Sequence, residues 1–131
     1  MVEKGVLGPL DAGLDFGVVS IPNASTSAFP NIIDMNTSNA DGLEVVAALE
    51  ADAVGGTDAQ LILEGSAKNS GDYVEIATSE KIKLAALNER ATIRLGVPRF
   101  NGYRYLKLSV KTTGAFSGGK LHGWLDTYIG R

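Results

Sequence analysis

From Asn31 onward the chain is written in short runs that alternate apolar and polar residues, each run closed by turn-forming residues. Alternation with a period of two is the signature of a strand buried on one face, and regular spacing of such runs marks an all-β sandwich or barrel. Residues 31–36 predict a short strand. Residues 42–51 predict a longer one, with Leu43, Val45, Ala47 and Leu49 on one face. After the turn at Gly55-Gly56, residues 59–66 place Leu61 and Leu63 together, opposite Gln60 and Glu64. A second turn, residues 68–72, combines asparagine, serine and glycine, which favour tight reversals. Residues 73–78 and 81–87 follow as strands. A helix starting at Leu84 is too short to stand alone. Residues 91–97 point Ile93 and Leu95 inward and Arg94 outward.

The last two runs are the longest. Residues 103–111 bury Leu106, Leu108 and Val110 and turn Tyr105, Lys107, Ser109 and Lys111 outward. Residues 119–129 bury Leu121, Leu125 and Ile129 and turn His122, Trp124, Asp126 and Tyr128 outward. The glycine-rich stretch between them predicts a hairpin loop with Phe116 at its tip. About eight strands result, and the expected fold is an antiparallel, jelly-roll-like β-sandwich. Periodicity alone leaves an immunoglobulin-like sandwich open.

Residues 1–30 read differently. They hold three of the four prolines, Pro9, Pro22 and Pro30, and no sustained period. They predict an extended N-terminal arm with one short strand near Phe16, followed by a sandwich domain over 31–131. Leu7, Leu10, Leu14 and Phe16 make the arm too apolar for a free disordered tail. It is expected to dock on its own domain or on a neighbouring chain. Removing residues 1–21 is expected to leave the domain folded but to weaken its attachment to a partner.

Composition narrows the chemistry. There are 131 residues, no cysteine and one histidine, and the net charge is −3 with both signs intermixed. Disulfides, thiolate metal sites and a cysteine nucleophile are excluded. The charge pattern does not suit a nucleic-acid partner. No apolar run has the length of a membrane-spanning helix, and the first residues lack the pattern of a secretory signal. A lone histidine cannot build a histidine metal cluster, and His122 lies mid-strand without a positioned catalytic partner. Asp52 and Asp58 flank a glycine turn, but their spacing matches no calcium loop. Neither glycine-rich loop has the lysine-serine/threonine ending of a phosphate cradle. No catalytic residue, metal ligand or cofactor-binding residue is assigned.

The outward aromatics carry the functional reading. Tyr103, Tyr105, Trp124 and Tyr128 interleave with Lys107, Lys111 and Asp126 on the last two strands. Paired as a hairpin, these strands would present one aromatic and charged surface, the composition of protein interfaces. The same residues would serve as a sugar-stacking platform, or as a second core layer under an added element.

The stretches "TDAQLILEGSAKNSGDYVEIATSEKIKLAAL", "RLGVPRFNGYRYLKLSVKTTGAFSGGKLHGWLDT" and the closing "YIGR" resemble the capsid cement (decoration) proteins of tailed bacteriophages, of the Bordetella-phage type. The resemblance covers about Asn31 to Arg131. It implies a jelly-roll domain made in the host cytoplasm and carried on the outer surface of the virion head. There it would clamp neighbouring major capsid protein subunits and associate with itself as a homodimer or homotrimer. It implies no enzyme activity and no cofactor. The expected interface residues are Leu7, Leu10, Leu14, Phe16, Tyr103, Tyr105, Phe116, Trp124 and Tyr128. The competing expectation is a carbohydrate-binding sandwich module on a phage particle.

Overall fold

The computed structural model describes residues 14–35, 43–68, 71–88, 91–98 and 103–127. Leu7, Leu10, Tyr128 and Ile129 therefore lie outside the described residues. Ten strands are formed among those described: β1 (Asp15–Ser20), β2 (Thr26–Ala28), β3 (Ile33–Asp34), β4 (Leu43–Gly55), β5 (Asp58–Ser66), β6 (Val74–Thr78), β7 (Ile82–Lys83), β8 (Thr92–Gly96), β9 (Tyr105–Thr113) and β10 (Phe116–Thr127). Leu84–Ala86 make one turn of 3₁₀ helix, the most that this short alanine-leucine run supports.

All pairings are antiparallel, in two sheets. The first runs β1-β10-β4-β8. In the second, β9 and β5 are central, with β2 and β3 along the outer edge of β9 and with β6 and β7 along the outer edge of β5. The fold is an all-β antiparallel sandwich. The expected inward residues meet between the sheets. Leu61, Leu63, Leu106, Leu108, Val110, Leu121 and Leu125 are almost fully buried in one cluster with Val45, Ala47 and Leu49. Register explains the fit: Leu63 lies opposite Leu108 and Leu61 opposite Val110, while Leu49 lies opposite Leu121 and Val45 opposite Leu125. Each such side chain contributes roughly 1.5–3 kcal/mol by leaving water.

The last two long strands do not pair with each other, contrary to the hairpin expectation. β9 belongs to the second sheet and β10 to the first. Both carry their apolar residues toward the same core, so they must face each other across it. Their connection, Gly114-Ala115, arches from sheet to sheet, as does Gly56-Thr57 between β4 and β5. The two arches lie together. The Thr57 N–H donates to the Thr113 carbonyl at 2.8 Å, and Gly55 lies opposite Phe116. The paired strands β4–β10 and β5–β9 thus form one long antiparallel ribbon folded back on itself. Phe116 is correspondingly not a loop tip. It is 3% exposed, and its ring occupies the space a Cβ at Gly56 would need.

The described part of the expected arm is built into the sandwich. β1 pairs with β10 through Val19–Leu121 and Val18–His122, and β2 pairs with β9. Phe16 is fully buried and Leu14 packs against the same core. The apolar residues that argued for docking are therefore core residues of this chain, and a cut at Ile21 removes an edge strand.

Candidate functional site

Because β9 and β10 lie in different sheets, the aromatic residues expected on one surface are separated. Trp124 stands between Asp15 of β1 and Val46 of β4, on the side of the first sheet away from the main core. It is 3% exposed and forms a small buried cluster with Val46 and Ala48. Its buried ring offers no open face for stacking a sugar. Phe16 and Phe116 are likewise interior.

His122 adjoins this cluster, its ring centroid 5.1 Å from that of Trp124. Its Nε2 lies 2.9 Å from Asp15 Oδ1, and its Nδ1 lies 3.5 Å from Glu50 Oε2. Asp15 Oδ1 also accepts the Gly17 N–H at 2.8 Å. The histidine thus ties β10 to both of its neighbours, β1 and β4. Neither carboxylate was singled out by spacing in sequence, since each arrives through strand pairing. Asp52 lies on an exposed position of β4, and Asp58 is paired in β5 opposite Thr113 and Lys83.

The second sheet carries the remaining aromatic surface. Tyr105 and Lys107 alternate with the buried Leu106 and Leu108, so they stand on the outer face. Lys107 lies opposite Glu64 of β5 and Tyr105 opposite Asp34 of β3. Tyr73, just before β6, reaches the same face, with Lys107 Nζ 5.5 Å from its ring centroid. Its hydroxyl is pushed above the ordinary tyrosine range, first by burial and then by Tyr105 and Glu64. Arg104 sits 5.2 Å from the Tyr105 ring and makes a fork onto Asp34, donating from Nε to Oδ1 at 2.7 Å and from Nη2 to Oδ2 at 2.9 Å. That fork, with the Asp34 charge, raises the guanidinium pKa further. Tyr105, Tyr73 and Lys107 are half-buried. Two amphipathic rings are thereby held in place by cation contacts on a continuous ladder.

Tyr103 is close in sequence but differently placed. It lies against Gly65, where a Cβ would come within 2.8 Å of its ring. Gly65 shares the inward parity of Leu61 and Leu63, so Tyr103 closes the end of the sandwich. Of the expected interface residues that are described, Tyr105 is the one on the outer face of the second sheet. Its neighbour Tyr73 was missed because only the pairing of β5 with β6 brings residue 73 beside residues 64 and 107.

No protein-family model and no curated protein matches the sequence. Among solved structures the chain is similar to one described as the crystal structure of PirA, with a TM-score of 0.54 and 12% identity, over 83% of this chain and 91% of that chain. What the two share is a fold. At that identity the likeness extends to the all-β sandwich and no further.

Proposed function

We propose that this chain is a structural cement protein of a tailed-phage head, bound on the outer capsid surface, where it clamps neighbouring major capsid protein subunits. The observation that carries the reading is the outer face of the second sheet. Tyrosine and arginine are the residue types that dominate binding energy at protein interfaces, and rigid placement lowers the ordering cost of using them. Tyr105, Tyr73 and Arg104 meet both conditions, and Lys107 lies over the Tyr73 ring.

Two further features support it. The stretches that resemble cement proteins, residues 57–87 and 94–127, supply β5, β6, β7, β9 and β10 and part of β8, and so the centre of the second sheet and one central strand of the first. Polar and charged side chains around that framework tie strand to strand: Arg94 to Glu44 at 2.7 Å, Arg104 to Asp34, and His122 to Asp15. Side chains used this way brace a scaffold, and the protein acts by binding, without catalysis or cofactor. The glycan-binding alternative has less support, since its central ring, Trp124, is buried.

The test uses heads of the encoding phage that lack the protein. Adding purified protein should saturate the heads and raise the temperature at which they release DNA. Heads whose release temperature does not move at saturating protein would contradict cementing.

A further inference from the structure

Among the described residues, antiparallel pairing leaves the β8 edge of the first sheet without a partner strand. Val97 donates to the Leu43 carbonyl and Leu49 to the Ala91 carbonyl, which sets the odd-numbered residues of β8 as those bonded to β4. In an antiparallel ladder the alternate residues direct both backbone groups the other way. Thr92, Arg94 and Gly96 therefore offer their N–H and C=O groups along the free edge, where no strand pairs with β8 among the described residues. The space beside Gly96 is open.

The opposite edge is built differently. Beside β1, Pro30 fills the position a Cβ at Gly17 would need, Asn31 donates its N–H to the Phe16 carbonyl, and the register of β1 is broken between Asp15 and Gly17. A bulge and a covering turn are the devices that close an edge to pairing.

We infer that β8 is a dimerisation edge that takes the β8 of a second copy, antiparallel about a two-fold axis at Arg94. The pattern is self-complementary. With Arg94 opposite its own copy, Thr92 meets Gly96 of the other chain, and all the free backbone groups of both strands are paired. The first sheet then runs continuously through both copies. The two arginines at the axis do not meet as bare charges, because each is neutralised by its own Glu44 at 2.7 Å. The strand that carries exposed Val74, β6, borders β8 across the sandwich. An edge that pairs with itself in this way makes an isologous contact, which closes at two copies. The inference gives a surface to the self-association included in the cement reading and rests on it only there.

Sedimentation of the purified chain, without heads, tests it. The full protein should sediment at twice 13.7 kDa at high concentration and dissociate on dilution. Thr92→Pro removes one edge donor and no bond to β4, so it should sediment as a monomer, whereas Thr92→Val should remain a dimer. Gly96→Pro provides the same test at the other end of the strand. Hydrogen exchange supplies a readout independent of folding in the variants: the Arg94 amide of the unmodified protein should be protected at high concentration and exchange fast when dilute. A monomer at every concentration would overturn the inference. So would a dimer that survives both proline variants, or an Arg94 amide whose exchange ignores concentration. Head binding by a chain that stays monomeric would leave the cement reading standing.

Discussion

Trp124→Ala is expected to destabilise the protein by about 3–5 kcal/mol, as for other large aromatic-to-alanine changes in well-packed sites; chemical denaturation measures it. The size of that loss is what separates a core tryptophan from a binding one. Strand parity put Trp124 on the correct side of β10, but parity does not say whether that side is covered. The clue was in β4, where Val45 to Leu49 are apolar without interruption, and an unbroken run implies a strand buried on both faces. Tyr73 is legible in a different way, through its titration. Its folded pKa is raised above the ordinary value of 10.0, so the neutral phenol is favoured in the folded state. The associated stability is fully present below pH 10 and is lost as pH rises through the folded value. Tyr73→Phe should therefore flatten the decline in stability above pH 10, and one tyrosine of the unmodified protein should ionise late in an ultraviolet titration.

At the level of elements, the glycine-rich connection before β10 was visible, but its type was not. A hairpin turn and an inter-sheet arch use the same residues; which one forms depends on whether the two strands share a sheet, and that is decided by the whole core. Gly114 carries the arch. Its φ is +93°, and a Cβ there would come within 2.6 Å of the Thr57 backbone nitrogen. Gly114→Ala is expected to cost more than about 1 kcal/mol, because neither the positive φ nor the backbone contact can relax; its melting temperature should fall well below that of Gly118→Ala, whose Cβ meets only the Val54 side chain. The first strand shows the same limit of sequence reading. Its apolar content was legible, but its partner lies more than a hundred residues away in β10. Deletion of residues 1–21 removes Phe16 and Ile21 from the core and the Asp15 partner of His122. The truncated chain should show lower stability and faster exchange of the β10 amides, measured by chemical denaturation and hydrogen exchange.

For the whole molecule, the two-sheet architecture followed from alternation and turn spacing, because a one-sided strand has few ways to bury its face. The binding face did not follow, because it is assembled from β3, β5, β9 and the residue before β6, and no local pattern states which strands are neighbours. A structural cement protein would place its rigid tyrosine-arginine face on the shell. The most direct measurement is a binding isotherm on undecorated heads, by co-sedimentation, for the unmodified protein and for Tyr105→Ala. Tyr105 is half-buried on an outer face, so the variant should keep its fold, checked by an unchanged far-ultraviolet spectrum. The unmodified protein should bind saturably and the variant with at least tenfold weaker affinity, the loss expected of an interface anchor contributing about 1.4 kcal/mol. Equal affinity of a folded Tyr105→Ala protein, or no binding by either, would contradict binding through this face.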